Sequence, residues 1–135
     1  MVVIGQISGK ETIESALALP FTTQNDIYKN YFIDADKHAF VVTSHQQKVL
    51  TVMNYGMVPF WSTQRQVYYT APVEGDELST VDTESKRILL HPAYRKPIRE
   101  NRCLIPVDYF ILKSQNGAPY MFFMKGEHIF ALAAV

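Results

Sequence analysis

Apolar positions along the chain first recur with helical spacing and later with the density and alternation of strands. In "SGKETIESALALP", residues 8 to 20, Ile13, Ala16 and Leu17 share one face, Ser8 and Glu11 have capping-box spacing, and Pro20 stops the run, which predicts a short helix. From Ala39 the pattern changes: "AFVVTS" and "KVLTVMN" are rich in β-branched residues and flank the polar "HQQ", predicting a hairpin with a tight connection. "YGMVPFWSTQ" follows, in which Gly56 and Pro59 bar a regular element while Tyr55, Met57, Phe60 and Trp61 call for burial. "VYYTAPV" predicts another strand, and a helix is predicted from about Ser79 to Leu90, with turns or a short irregular helix around Pro92 and Pro97. The remainder reads as β. "RCLIPVDYFILK", "PYMFFMK" and "HIFALAAV" predict a three-stranded meander, joined by "SQNGA" and "GE", with Asn116-Gly117 suited to a type I′ turn. The fold class is therefore α+β and β-rich. Without an internal repeat, low-complexity tract or linker, residues 1–135 are expected to form one domain.

Composition narrows the function classes. With 47% hydrophobic residues in 135, the chain can build a real core, and disorder is excluded as the main state. Thirteen basic side chains balance thirteen acidic ones, so attraction to nucleic acid or an anionic surface must be local. One cysteine forms no internal disulfide, and "MVVIGQISGKE" lacks the basic and long apolar regions of a leader, so a cytoplasmic protein is expected. No apolar run approaches the roughly 20 residues of a transmembrane helix, so no membrane association is expected. The chain stops in "IFALAAV", which predicts a hydrophobic sheet edge; either a second copy or a strand-pairing partner covers it, or the sequence is part of a longer protein.

Charge is segregated along the chain. Glu74, Asp76, Glu77, Asp82 and Glu84 cluster between 74 and 84, whereas Lys86, Arg87, Arg95, Lys96, Arg99 and Arg102 stand against Glu100 alone in 86 to 102. The basic stretch reads either as a groove for the phosphates of single-stranded nucleic acid, with Tyr55, Trp61, Tyr68, Tyr69 or Tyr94 as stacking surfaces, or as a solvated face balancing the acidic segment. Phe60 and Trp61 either wedge between bases or anchor their loop on the core. His38, His45, His91 and His128 lack metal-ligand spacing, and His91 before Pro92 suits a helix C-terminus. Asp108, an acid in an apolar strand, must pair with Arg102 or with a backbone donor if buried. Cys103, flanked by Leu104 and Ile105, reads as core filler, and an Asp108–Cys103–His hydrolase has no spacing support.

Two stretches together point to a family. "YGMVPFW" at 55 to 61 resembles the W-G-x-x-P-x-W segment of the SRAP family, the SOS response-associated peptidases. "HPAYRKPIRENRCLIPVDYF" at 91 to 110 resembles their P-x-[FY]-R-x-x-x-x-x-x-R-C-L-x-P-x-D-x-F segment, and "PYMFF" and "IFALAAV" are similar to their later strands. The resemblance implies an SRAP-like α+β domain, with antiparallel strands in a partly closed barrel plus short helices. It also implies binding of single-stranded DNA in the DNA damage response, and capture of abasic sites by a cysteine exposed when the initiator Met is removed. That thiol and its α-amine condense with the sugar aldehyde to a thiazolidine, assisted by an asparagine, a glutamate and a histidine. Carried over residue by residue, the nucleophile's position falls on Val2, the asparagine's on Thr70 and the glutamate's on Leu112. The histidine lies in a part of the family domain beyond Val135. Two phosphate-binding arginines fall on Ile4 and Pro72, while Glu74 keeps the family's acid. Cys103 falls on an internal, structural cysteine. What the resemblance then implies is a protein without the crosslinking and self-release activity, needing no cofactor, that holds single-stranded DNA weakly. Tyr55, Trp61, Glu74, Arg95, Lys96, Arg99 and Arg102 are its candidate contacts. The alternatives are an interaction protein that pairs through its C-terminal strand and an active crosslinker with replaced residues.

Overall fold

The computed structural model describes residues 2–6, 8, 10–18, 38–59, 61–63, 67–71, 88–89, 91–126 and 128–135. In chain order the elements are β1 (Val2–Gly5), α1 (Lys10–Leu17), β2 (His38–Thr43), β3 (Thr51–Asn54), α2 (Pro97–Glu100), β4 (Cys103–Val107), β5 (Tyr109–Lys113), β6 (Pro119–Phe123) and β7 (Phe130–Ala134). The strands form two antiparallel sheets, one of three in the order β1-β5-β6 and one of four in the order β3-β2-β4-β7. The α+β class stands, but among the described residues the two sheets do not close into a barrel.

The apolar run of β2 reflects burial on both faces of the four-stranded sheet. Phe40 and Val42 point to one side, where Ile13 of α1 and Leu50 join them. Ala39 and Val41 point to the other, where they meet Ile105, Val107 and, from the three-stranded sheet, Ile4. The period of two along a strand thus divides one sequence run between two cores. The predicted hairpin is present as β2 and β3, with Ala39 opposite Met53, although residues 44–50 make its connection longer than expected.

The predicted meander is replaced by a chain that changes sheets. Asp108 breaks "RCLIPVDYFILK" into β4, which pairs with β7, and β5, which pairs with β1 and β6. The Asp108 N–H donates to the Gly5 carbonyl at 2.9 Å, and its carboxylate accepts the Ser8 N–H at 2.9 Å and the Ser8 hydroxyl. A backbone donor therefore serves this acid, and Ser8, predicted to open a capping box, uses both its donors on it. Gly5 itself is opposite Tyr109, and a β-carbon there would stand inside the Tyr109 ring.

Other expectations change for local reasons. At "SQNGA" the Gly117 N–H donates to the Ser114 carbonyl at 2.9 Å and Gly117 has φ +83°, while Ala18 is the one described non-glycine with positive φ. Asn116 consequently does not take the left-handed angle of a type I′ turn; the loop is a type I turn closed by a left-handed glycine. "VYYTAPV" supplies an isolated bridge, Met57 to Tyr68, where a strand was predicted. The helix expected from 79 to 90 and the acidic cluster of 74 to 84 lie outside the described residues, except that 88 and 89 form a turn.

Candidate functional site

β1 and β5 lie antiparallel, and their register sets Val2 opposite Leu112 and Ile4 opposite Phe110. Val2 and Leu112, assigned by resemblance from separate ends of the chain, are thus direct cross-strand partners. Both are hydrocarbons, without a nucleophile, a proton donor or a charge. Leu112 is 38% exposed.

The register is held by a residue that the apolar pattern did not flag. Gln6 is buried, and its Oε1 accepts the Phe40 N–H at 3.0 Å while its Nε2 donates to the carbonyls of Phe40 at 3.0 Å and Pro106 at 2.6 Å. β2 and β4 pair at Val42–Leu104 and Thr43–Cys103, and the carboxamide bridges them further along, at Phe40 and Pro106. Gln6 is a positioning residue, fixing the end of β1 to both central strands. Its one sequence signal is a polar side chain directly after "VVIG".

Thr70 sits in a second structure, built from aromatic rings. The N–H and carbonyl of Met57 and Tyr68 exchange two 2.8 Å hydrogen bonds, Tyr55 packs on Tyr69 at 5.5 Å, and Tyr68 meets the edge of Tyr94 at 5.9 Å. The Tyr94 hydroxyl donates to the Thr70 carbonyl at 2.8 Å. Burial, followed by the neighbouring Tyr68, pushes the Tyr94 phenol above its ordinary value, so it remains a donor at neutral pH. Tyr55 is likewise raised by burial and then by Tyr69. At 4% exposure Tyr94 is an internal anchor and presents no face for stacking, whereas Trp61 is 47% exposed.

The same anchor organises the basic stretch. His91 stands at the start of a turn, where its carbonyl accepts the N–H groups of Tyr94 and Arg95 and its Nδ1 accepts that of Ala93 at 3.2 Å. It therefore caps the beginning of a turn, while the helix whose C-terminus it was expected to mark lies outside the described residues. Arg95, Lys96, Arg99 and Arg102 are all exposed, and Lys96 reaches Glu100 at 3.8 Å in an exposed pair of little energetic weight. The Arg102 carbonyl accepts the Ser44 N–H at 2.8 Å, and the His45 ring meets the Glu100 carbonyl, tying this stretch to the loop after β2. Glu74, Phe60, Pro72, Lys86 and Arg87 lie outside the described residues.

Cys103 packs at the edge of the core formed by Ile4, Ala39, Val41, Ile105 and Val107. Burial raises its thiol pKa, which lowers the thiolate fraction and with it the reactivity. Among the described residues, no group of three or more His, Cys, Asp or Glu is arranged to hold a metal ion, and no helix is long and apolar enough to cross a membrane.

Comparison with known proteins identifies the family and the fold. The family model described as SOS response associated peptidase (SRAP) matches residues 5–135. Abasic site processing protein YoqW of Bacillus subtilis (strain 168), with its counterpart in Bacillus phage SPbeta, is 22% identical over 135 residues, covering 85% of this chain and 56% of theirs. Abasic site processing protein YoaM of Bacillus subtilis is 23% identical over 99 residues, covering 70% of this chain and 40% of its own. The crystal structure of a Bacteroides thetaiotaomicron protein has the same fold, with a TM-score of 0.60 at 22% identity, over 97% of this chain and 57% of that one. The chain thus spans little more than half the length of the first of these relatives and of the solved structure.

Proposed function

Because the chain belongs to the SRAP family, we propose that it is a member that holds single-stranded DNA, at sites of DNA damage, without crosslinking to it. The observation that carries this reading is the pairing of Val2 with Leu112. A thiazolidine needs a thiol beside an amine, and proton transfer needs a carboxylate; valine and leucine supply neither. Thr70 adds a hydroxyl where the family's asparagine would offer an amide. Retention of DNA is supported by the exposed cations Arg95, Lys96, Arg99 and Arg102 and by the half-exposed Trp61, the combination by which single strands are held without sequence preference.

Fluorescence anisotropy of a labelled single-stranded oligonucleotide tests the reading. Saturable binding should weaken with salt, and Arg95→Ala with Arg99→Ala should lower the log–log salt slope by about 0.7 for each phosphate that is no longer neutralised. A flat salt response would sink the DNA-binding half. An adduct on abasic single-stranded DNA that survives denaturation would sink the other half and establish an active crosslinker with replaced residues.

A second reading, an interaction protein that pairs through its C-terminal strand, is favoured by one observation. β7 is the outermost strand of the four-stranded sheet, paired along Phe130–Ala134 to β4 on its inner side.

A further inference from the structure

A different strand carries the stronger case for association. Among the described strands β6 is the outermost of the three-stranded sheet, and all five of its residues are exposed. Tyr120 is 56%, Met121 54%, Phe122 44%, Phe123 66% and the following Met124 50% exposed. Edge strands in soluble proteins are normally blunted by charge, by proline or by a bulge. Here Pro119 stands only at the first position, no charge falls between 119 and 124, and pairing with β5 runs unbroken from Lys113–Pro119 to Tyr109–Phe123, so the edge has no bulge.

We propose that β6 is a self-docking edge, at which two copies of the chain pair Tyr120–Met124 antiparallel and join their three-stranded sheets into one of six strands. The character of β6 selects this occupant. Tyr120 and Phe122 point to the face shared with Leu112 and Phe110, where Phe122 stacks on Phe110 at 4.9 Å, and Met121 and Phe123 point to the opposite face. A helix or loop laid on one face would leave the other in water. A strand added in the plane of the sheet, apolar on both faces, flanks both, and the second copy's β6 has that character. A two-fold axis at Phe122 sets Tyr120 against the partner's Met124 and Met121 against the partner's Phe123, so these cross-strand pairs are apolar and combine a methionine sulfur with an aromatic ring.

The five side chains leave roughly 500 Å² per copy in water, near the largest apolar patch of an ordinary monomer. Two copies together offer at most about 1,000 Å² of side-chain surface, the lower bound for a specific interface, to which the paired backbone edges add their own. Leu112, cross-strand partner of Tyr120, extends the patch to the position opposite Val2. The inference does not depend on DNA binding, and it differs from pairing through β7 in both the strand and the sheet involved.

Light scattering after size exclusion, from 5 to 500 µM as roughly chosen concentrations, tests it. The expected species is a dimer of the 15.5 kDa chain. Tyr120→Lys with Phe123→Lys should raise the dissociation constant at least tenfold with an unchanged circular dichroism spectrum, because both side chains are mostly in water. Ala131→Lys with Ala133→Lys, on exposed positions of β7, should leave the dimer intact. Amide exchange of the unmodified chain gives a readout free of substitutions: protection at 119–124 should rise with concentration. A monomer throughout the range, growth into aggregates without a fixed stoichiometry, or a dimer broken by the β7 variants and not by the β6 variants would each overturn the proposal.

Discussion

The two sheets are made of strands of similar length and apolar content, yet they differ in what covers them. In the four-stranded sheet β2 is enclosed on both faces, by α1 through Ile13 and by the three-stranded sheet through Ile4. In the three-stranded sheet burial fades along the strands. Ile4 is 2% exposed and Tyr109 7%, Leu112 at the other end of the β1–β5 pair is 38% exposed, and every residue of β6 is exposed. An apolar pattern states what a strand is able to bury; only the tertiary arrangement states whether a neighbour is there. Val2 and Leu112, where the family resemblance places the reaction, lie toward the open end.

The largest expected effect comes from breaking the better-covered sheet. Ile13 is fully buried between α1 and β2, so Ile13→Ala should cost about 2–5 kcal/mol of unfolding free energy, read as a lower urea midpoint. Phe123→Lys, at low protein concentration where any dimer has dissociated, should cost no more than about 0.5 kcal/mol. Equal losses would erase the contrast between the sheets. Gln6→Leu ranks next, because a hydrocarbon side chain strands the Phe40 N–H and the Phe40 and Pro106 carbonyls in a buried junction. A loss of about 1–3 kcal/mol is expected. Backbone amide exchange should show it concentrated where β1 meets β2 and β4.

What was legible in the sequence follows the same division. The β2–β3 hairpin, α1 and the turn at 114–118 were read from local period and turn residues, because each closes over a few positions. The sheet switch at Asp108 was not, since its cause is a set of bonds to Gly5 and Ser8, about a hundred residues away. Nothing in "RCLIPVDYFILK" tells an acid inside a strand from one between two strands. Motif resemblance singled out Val2 and Leu112 separately, and only the register sets them opposite each other, whereas Gln6 was missed because a single polar residue after a strand carries no period. Trp61 and Tyr94 were both candidate stacking surfaces, yet one is exposed and the other buried, because composition does not tell which of several nearby aromatics the core admits.

The smallest effect asks how far burial reaches along the four-stranded sheet. Cys103 opens β4 and pairs with Thr43 and Ala134, and burial alone raises its thiol pKa. In the unfolded chain the thiol ionises first, from about pH 9. Between its unfolded and folded pKa the native state holds more protons than the unfolded state, so stability is fully present below that range and falls as pH rises through it. Tyr109, at the packed start of β5, is also raised, first by burial and then by Asp108, but it begins to contribute only from about pH 10. The decline that starts near pH 9 should therefore flatten in Cys103→Ala, while the steeper decline above pH 10 remains. Denaturant titrations at closely spaced pH values read both slopes. An unchanged slope near pH 9 would mean that the start of β4 is open to water like the end of β5, and that the better-covered sheet is closed only at its centre.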